Sequence, residues 1–198
     1  MPDNVPIIDL SKAPGSRESW DRPFWIVLLW AVVEPVLVTS SLQLSSRVRI
    51  AVLRWFGAEI GPGVIMRPGL KVRFPWKLSI GANSWIGERV WLHNQDRLEI
   101  GHDTVISQDS FVTTGTHAVK TDMALVTRPT FIGDGVWVTS RCMVLGGSRI
   151  GTSALILPNT VVKGDVPANA VYGAAPATVV GDRFSDDTRA RRPSPDSR

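Results

Sequence analysis

Ile60-Gly-Pro-Gly-Val-Ile, Met66-Arg-Pro-Gly-Leu-Lys, Val72: here the chain counts in sixes. It does so again at Ile132-Gly-Asp-Gly-Val-Trp, Val138-Thr-Ser-Arg-Cys-Met, Val144-Leu-Gly-Gly-Ser-Arg, Ile150-Gly-Thr-Ser-Ala-Leu, Ile156-Leu-Pro-Asn-Thr-Val, Val162. Between these blocks the same beat passes through Ile80, Ile86, Leu92, Ile100, Ile106 and Val112. All fifteen leading positions are apolar. The fourth residue after most leaders is small: Val64, Ser84, Val90, Thr104, Ser110, Thr116, Val136, Cys142, Ser148, Ala154, Thr160 and Val166. Glycine directly follows the leader at Gly61, Gly81, Gly87, Gly101, Gly133 and Gly151. An α-helix repeats about every 3.6 residues and a strand about every 2, so neither explains this beat. A short strand followed by a corner, repeated every six residues, is the unit of a parallel β-helix.

Three hexads close one triangular coil, so residues 60–167 make five. Ile60, Ile80 and Ile100 are spaced by twenty residues, the extra pairs being Leu78-Ser79 and Leu98-Glu99; Ile132 to Ile150 is eighteen. Each inner face then carries a column of Ile, Leu and Val, each side chain contributing about 1.5–3 kcal/mol on burial. No coil is stable alone, because each covers its neighbour. The glycines are expected at corners for their backbone freedom.

Around this core the chain divides. Residues 1–19 read as an extended arm. Residues 20–57 read as two helices. Asp21 is placed to cap the first, which ends or kinks at Pro35. The second runs from Ser45 or Ser46 to Phe56 and stops at Gly57, with Val48, Ala51, Val52 and Trp55 as its buried stripe. These helices cap the open end of the β-helix, pack at a subunit interface, or rest on a membrane. The β-helix domain spans 60–180, and the sixes lapse at an external loop, 118–131. Residues 182–198 are expected to be disordered.

Composition narrows the function. The net charge of +4 is modest and much of the arginine lies in the terminal regions, so no nucleic-acid partner is implied, while a polyanionic cofactor is compatible. A single cysteine excludes an internal disulfide framework; Cys142 at a corner reads as a buried, inert thiol. The longest apolar run, Phe24 to Val33, falls short of the roughly 20 residues of a membrane span. With no secretory signal in view, the expectation is a cytoplasmic protein, at the inner face of the membrane if the helices touch it. No phosphate loop and no zinc pattern occurs, and three histidines on different corners or coils make no metal site.

His117 ends the third coil and opens the loop. Histidine titrates near neutrality, so one placed there can act as a general base or be a plain loop residue. Arg97 and Arg149, on adjacent coils, are expected beside it. His102 reads as a solvated surface residue. His93 and Asn94 lie one coil below His117.

The hexads, Thr114-Gly115-Thr116-His117, Asp134-Gly-Val-Trp137-Val-Thr139-Ser140, Val162-Lys163-Gly164-Asp165-Val166-Pro167 and Tyr172-Gly173-Ala174-Ala175-Pro176-Ala177 together resemble the hexapeptide-repeat acyltransferases, over about residues 20–181. Leu53-Arg-Trp-Phe-Gly57 and Phe74-Pro75-Trp76 favour the colanic acid biosynthesis O-acetyltransferase type. The resemblance implies an all-β fold, a left-handed parallel β-helix, against the usual right-handed crossover. It implies acetyl transfer from acetyl-CoA to a sugar hydroxyl, without a metal, by a homotrimer with active sites between subunits. It assigns His117 as general base and a backbone N–H near Ser140 to the oxyanion. Trp137, Thr139, Ser140, Lys163, Gly173, Ala175 and Pro176 would bind the cofactor. His93 and Asn94 would contact the acceptor, although His93 departs from the Asp or Asn of relatives. A free-sugar or amine acceptor, and a catalytically silent β-helix scaffold, are the alternatives.

Overall fold

A computed structural model describes residues 6–173. Its strands form three stacked parallel sheets, the faces of a prism. The first face holds six strands, from Glu59–Ile60 to Asp165–Val166. The second also holds six, from Ile65–Met66 to Val171–Tyr172. The third holds five, from Lys71–Val72 to Val161–Val162. Leader pairs with leader throughout: Ile60 with Ile80, Ile80 with Ile100, Ile100 with Ile132 and Ile132 with Ile150. All fifteen leaders are buried, none more than 8% exposed.

The stack is longer than five coils. Ile150 pairs with Val166 and Ile156 with Tyr172, so a sixth coil begins. Val166 is therefore a leader and not the corner residue expected. The reason is a shortened corner of two residues, Lys163-Gly164, in which Gly164 adopts φ +85°. Thr116 is not a corner residue either; it lies exposed in a strand outside the stack.

The corner glycines serve another purpose than the one anticipated. Those directly after the leaders do not have positive φ; the left-handed residues lie two positions later, as at Gly63, Asn83, Asp103 and Asn159. Instead, a Cβ on Gly87 would fall 2.7 Å from Gln108 N, and one on Gly133 2.9 Å from Thr152 N. Adjacent coils touch backbone to backbone there, and only hydrogen fits. Buried corner hydroxyls bind coil to coil. Ser84 Oγ donates to Gly101 O (2.7 Å) and accepts from Thr104 N (3.0 Å); Thr104 Oγ1 donates to Gly133 O (2.7 Å). Cys142 occupies one such corner and is buried.

The N-terminal segment supplies partners to the otherwise unpaired edge of the first coil. Short 3-10 turns, Leu10–Lys12 and Arg17–Trp20, lead to α1 (Phe24–Val33). Asp21 does not cap α1; it is left-handed and pairs with Lys77 at 2.8 Å. The α-helix ends at Val33, just ahead of Pro35 as expected, and the chain widens there into a six-residue π-helical segment, Glu34–Thr39. α2 (Ser46–Trp55) starts at Ser45, whose side chain accepts from Val48 N. Trp30 Nε1 donates to Val72 O (3.0 Å), Thr39 Oγ1 to Leu70 O (2.9 Å), and Ser46 Oγ accepts from Met66 N (2.9 Å).

α2 is rotated from its apolar pattern, so that only Val52 of the expected stripe packs on the core. Arg49 and Leu53 are buried, while Val48 and Trp55 are exposed. The cause is the π-helical segment, whose end leaves carbonyls without helical partners. Arg49 donates to Val38 O (2.8 Å) and Ser40 O (3.3 Å), and also to Gln43 O. A guanidinium with five donors can serve several carbonyls at once, which an aliphatic side chain cannot.

Ile106 sits at mid-stack and is fully buried. Ile106→Asp places an unpaired charge there, at a cost of several kcal/mol, and is expected to abolish folding. A soluble variant with a cooperative melt near the wild-type temperature would refute the inward register.

Candidate active site

The one long departure from the stack is ordered. After Phe111–Thr113 the chain leaves the third face as Gly115–His117, which pairs antiparallel with Leu125–Thr127. The expected loop is thus a β-hairpin with a tip from Ala118 to Ala124, and Thr130–Ile132 is already back in the first face. Arg128 N donates to Thr114 O (2.8 Å), closing its base. A Cβ on Gly146 would lie 2.9 Å from the same carbonyl, so the coil above seats directly on the hairpin.

His117 is exposed on this hairpin. Its Nδ1 lies 2.8 Å from Met123 O. A carbonyl only accepts, so Nδ1 carries a proton, and in the neutral ring the lone pair is on Nε2. Met123 is left-handed (φ +59°), and the bend aims its carbonyl back across the hairpin. Arg97 and Arg149 have partners elsewhere: Arg97 pairs with Glu99, and Arg149 lies 4.2 Å over the Phe131 ring.

One coil below, His93 is half-buried. Burial, and then the charge of Arg73, hold its pKa below the usual imidazole value. His93 Nδ1 meets Thr113 Oγ1 at 3.3 Å, and Thr113 Oγ1 accepts from Gly115 N at 3.1 Å, tying His93 to the root of the hairpin. Asn94 has a structural place. It is fully buried, accepting from Phe74 N (3.2 Å) and donating to Phe74 O (2.7 Å). Gln95, which the sequence did not single out, reaches Gly115, where a Cβ would strike its amide oxygen. The signal available was its place directly after His93-Asn94.

Of the other candidates, all but Lys163 lie away from the hairpin's edge. Trp137 is on the second face of coil four, its Nε1 donating to Ser107 Oγ at 3.0 Å. Thr139 and Ser140 follow at the corner toward the third face; Thr139 Oγ1 donates to Ile156 O at 2.7 Å. Gly173 follows the second face of the sixth coil, where a Cβ would fall 2.7 Å from Leu157 Cβ. Lys163 is exposed at the corner between third and first faces, the same edge as the hairpin. Ala175 and Pro176 lie outside the described residues. A single chain therefore does not bring His117 and Ser140 together; they flank opposite edges of the third face.

The outward side chains sort by face. On the second face they run Ile65, Trp85, Val105, Trp137, Leu155, Val171, and on the third Lys71, Trp91, Phe111, Met143, Val161. On the first they are Glu59, Ser79, Glu99, Phe131, Arg149 and Asp165. An open groove on that polar face, lined by Glu99, His102, Asp134 and Arg149 among others, contains no residue of the hairpin. There His102 Nδ1 lies 2.7 Å from Asp103 and Nε2 3.3 Å from Asp134. Among the described residues no group of three His, Cys, Asp or Glu side chains is placed to hold a metal.

No protein-family model matches the sequence. The chain is 35% identical over 162 residues to a putative colanic acid biosynthesis acetyltransferase of Escherichia coli (strain K12), covering 81% of this chain and 89% of that protein. It is 24% identical over 171 residues to a galactoside O-acetyltransferase of Lactococcus lactis, covering 84% and 80%. Its fold matches the crystal structure of a hexapeptide-repeat-containing acetyltransferase from Vibrio cholerae with a TM-score of 0.70, at 20% identity, over 89% of this chain and 98% of that one. The same protein complexed with acetyl coenzyme A gives a TM-score of 0.68 at 20% identity, over 81% and 88%.

His102 joins coil three to Asp134 of coil four. The Asp103 contact first, and then the Asp134 charge, raise its pKa above the ordinary value of 6.5. A raised pKa contributes stability that is full below the unfolded value and is lost as pH climbs through the folded one. His102→Gln is thus expected to lower the melting temperature at pH 5.5 and leave it unchanged at pH 8.5. Equal losses at both would show that the charge is not what binds the coils.

Proposed function

This chain belongs to the hexapeptide-repeat acyltransferases of the colanic acid biosynthesis acetyltransferase type, and from that premise we propose that it moves an acetyl group from acetyl-CoA to a hydroxyl of a sugar or polysaccharide precursor. The observation that carries the mechanism is the His117–Met123 hydrogen bond, which fixes the tautomer a general base needs. His117 Nε2 takes the proton of the acceptor hydroxyl as its oxygen bonds to the acetyl carbon. The Ser140 N–H donates to the thioester oxygen as negative charge arrives there. His117 then returns the proton to the departing thiolate, so the cycle closes with free coenzyme and acetylated sugar.

The remaining residues take supporting roles. Trp137, Thr139, Ser140 and Gly173 line the pantetheine channel; Lys163 faces the nucleotide phosphates. His93 and Gln95 face the acceptor, while Asn94 holds Phe74 beneath them. A homotrimer with sites between subunits suits two observations. His117 and Ser140 stand on separate edges of one chain, and the two faces meeting at the Ser140 edge carry outward apolar columns that isolated prisms would leave in water.

Peripheral membrane contact is proposed for the N-terminal helices. Trp25, Leu28, Leu29 and Val32 of α1 and Trp55 of α2 are all exposed. Arg22, Arg47 and Arg54 lie in the same segment, and Glu34 is its only acid between Arg22 and Ala58. That composition suits an anionic surface at the inner face of the membrane. No helix among the described residues is long and apolar enough to cross a membrane.

His117→Ala is expected to keep acetyl-CoA affinity and lose about 10²–10⁴ in kcat; near-normal turnover of a true acceptor would remove His117 from the mechanism. For the helices, wild-type protein is expected to pellet with vesicles containing phosphatidylserine, and Trp25→Glu/Leu29→Glu to stay in the supernatant with its oligomeric state intact. If the double variant instead dissociates and the wild type never pellets, this face is a subunit contact.

A further inference from the structure

Beneath His93, between α1 and the third face, lies a cavity of about 220 Å³. Lys71, Arg73, Phe74, Trp91 and His93 line it from the first two coils, and Glu34 from the helical segment. Its cations are unspent. Among the described residues neither Lys71 nor Arg73 has a carboxylate within ion-pair distance, whereas Lys77, Arg89 and Arg97 all do. Both lie over rings instead: Lys71 Nζ is 5.6 Å from the Trp91 centroid and Arg73 Cζ 5.1 Å from that of Phe74. Glu34, the one acid in the lining, is already engaged, its Oε1 accepting from Thr39 Oγ1 (2.8 Å) and Val72 N (3.3 Å).

Chemistry then selects the ligand. Trp91 is 43% exposed, and beside Lys71 its ring gives a sugar an apolar surface to pack against. Two unpaired cations beside it suit a carboxylate or a phosphate. His93 lines the cavity, and the Thr113 hydroxyl links it to Gly115 and so to the strand bearing His117. We infer that the acceptor is an anionic saccharide, its carboxylate or phosphate held by Lys71 and Arg73 while the sugar ring lies on Trp91. This rests on the acetyl-transfer reading but specifies what that reading leaves open, the charge of the acceptor. Lys71 and Arg73 are thereby specificity residues; they hold no reacting atom.

The test compares methyl glucuronide, glucose 1-phosphate and neutral methyl glucoside, both as acceptors with acetyl-CoA and, without turnover, as ligands by saturation-transfer NMR. The wild type should favour at least one of the two charged sugars over the neutral one, and whichever it favours identifies carboxylate or phosphate. Lys71→Gln/Arg73→Gln should weaken that sugar about ten- to hundredfold through KM, the range for hydrogen bonds to charged groups, and leave the neutral one unchanged. Added salt should narrow the wild-type preference. Equal binding of charged and neutral sugars, no saturation transfer to any of them, or a double variant that retains the preference would overturn the inference. His117→Ala separates it from the mechanism: that variant should lose transfer to every acceptor while the NMR ranking stays.

Discussion

Adjacent coils stack at the spacing of hydrogen-bonded strands, about 4.7–4.9 Å, and the rest of the molecule answers to that distance. It sets glycine after the leader at several corners, because a Cβ would press into the backbone of the next coil. It lets one buried hydroxyl at a corner bond to the carbonyl and amide above it, as Ser84 does with Gly101 and Thr104. It aligns the leaders into three inner columns, so hydrophobic burial and backbone pairing reinforce the same register. A stack so regular has open ends. At the start, the helical segment supplies the missing partners, down to Arg49 leaving the solvent to serve the carbonyls beyond the π-helical segment.

The proposed general base, His117, stands where the stack is interrupted. The hairpin between Thr113 and Thr130 is anchored below by Gln95 against Gly115 and above by Gly146 against Thr114. A rigid base with an exposed arm suits a catalytic histidine, which must reach a substrate without moving relative to the scaffold. The Met123 carbonyl then orients the ring, and that bond exists only because the hairpin tip bends through a left-handed residue. His93 lies under the same arm but in a drier setting, where burial favours its neutral form.

The prism also separates two groups that the proposed mechanism joins. A triangular coil puts the residue before a strand and the residue after it on different edges, so Ser140 and His117 cannot meet within one chain. Charge is divided in the same way. Polar and ionic side chains gather on the first face, whereas Trp85, Trp137, Trp91 and Met143 stand out from the other two.

By itself the sequence determined the repeat. The period of six placed all fifteen leaders inside, the sparing use of bulk at the fourth position placed most of the corners, and the lapse of the sixes after His117 pointed to an arm, although the arm leaves the stack earlier, after Thr113. These are local rules that a side chain obeys wherever its coil lies. Tertiary structure decided what depends on a neighbour brought in from elsewhere. Val166 became a leader because Gly164 let a corner close in two residues. α2 buried Arg49 in place of its apolar stripe because unpartnered carbonyls of a π-helical segment faced it. Asn94 turned inward to the Phe74 backbone, and His117 acquired its tautomer from Met123. In the last three cases the deciding group is a backbone amide or carbonyl, and its direction is set by the fold, since every residue but proline carries the same pair.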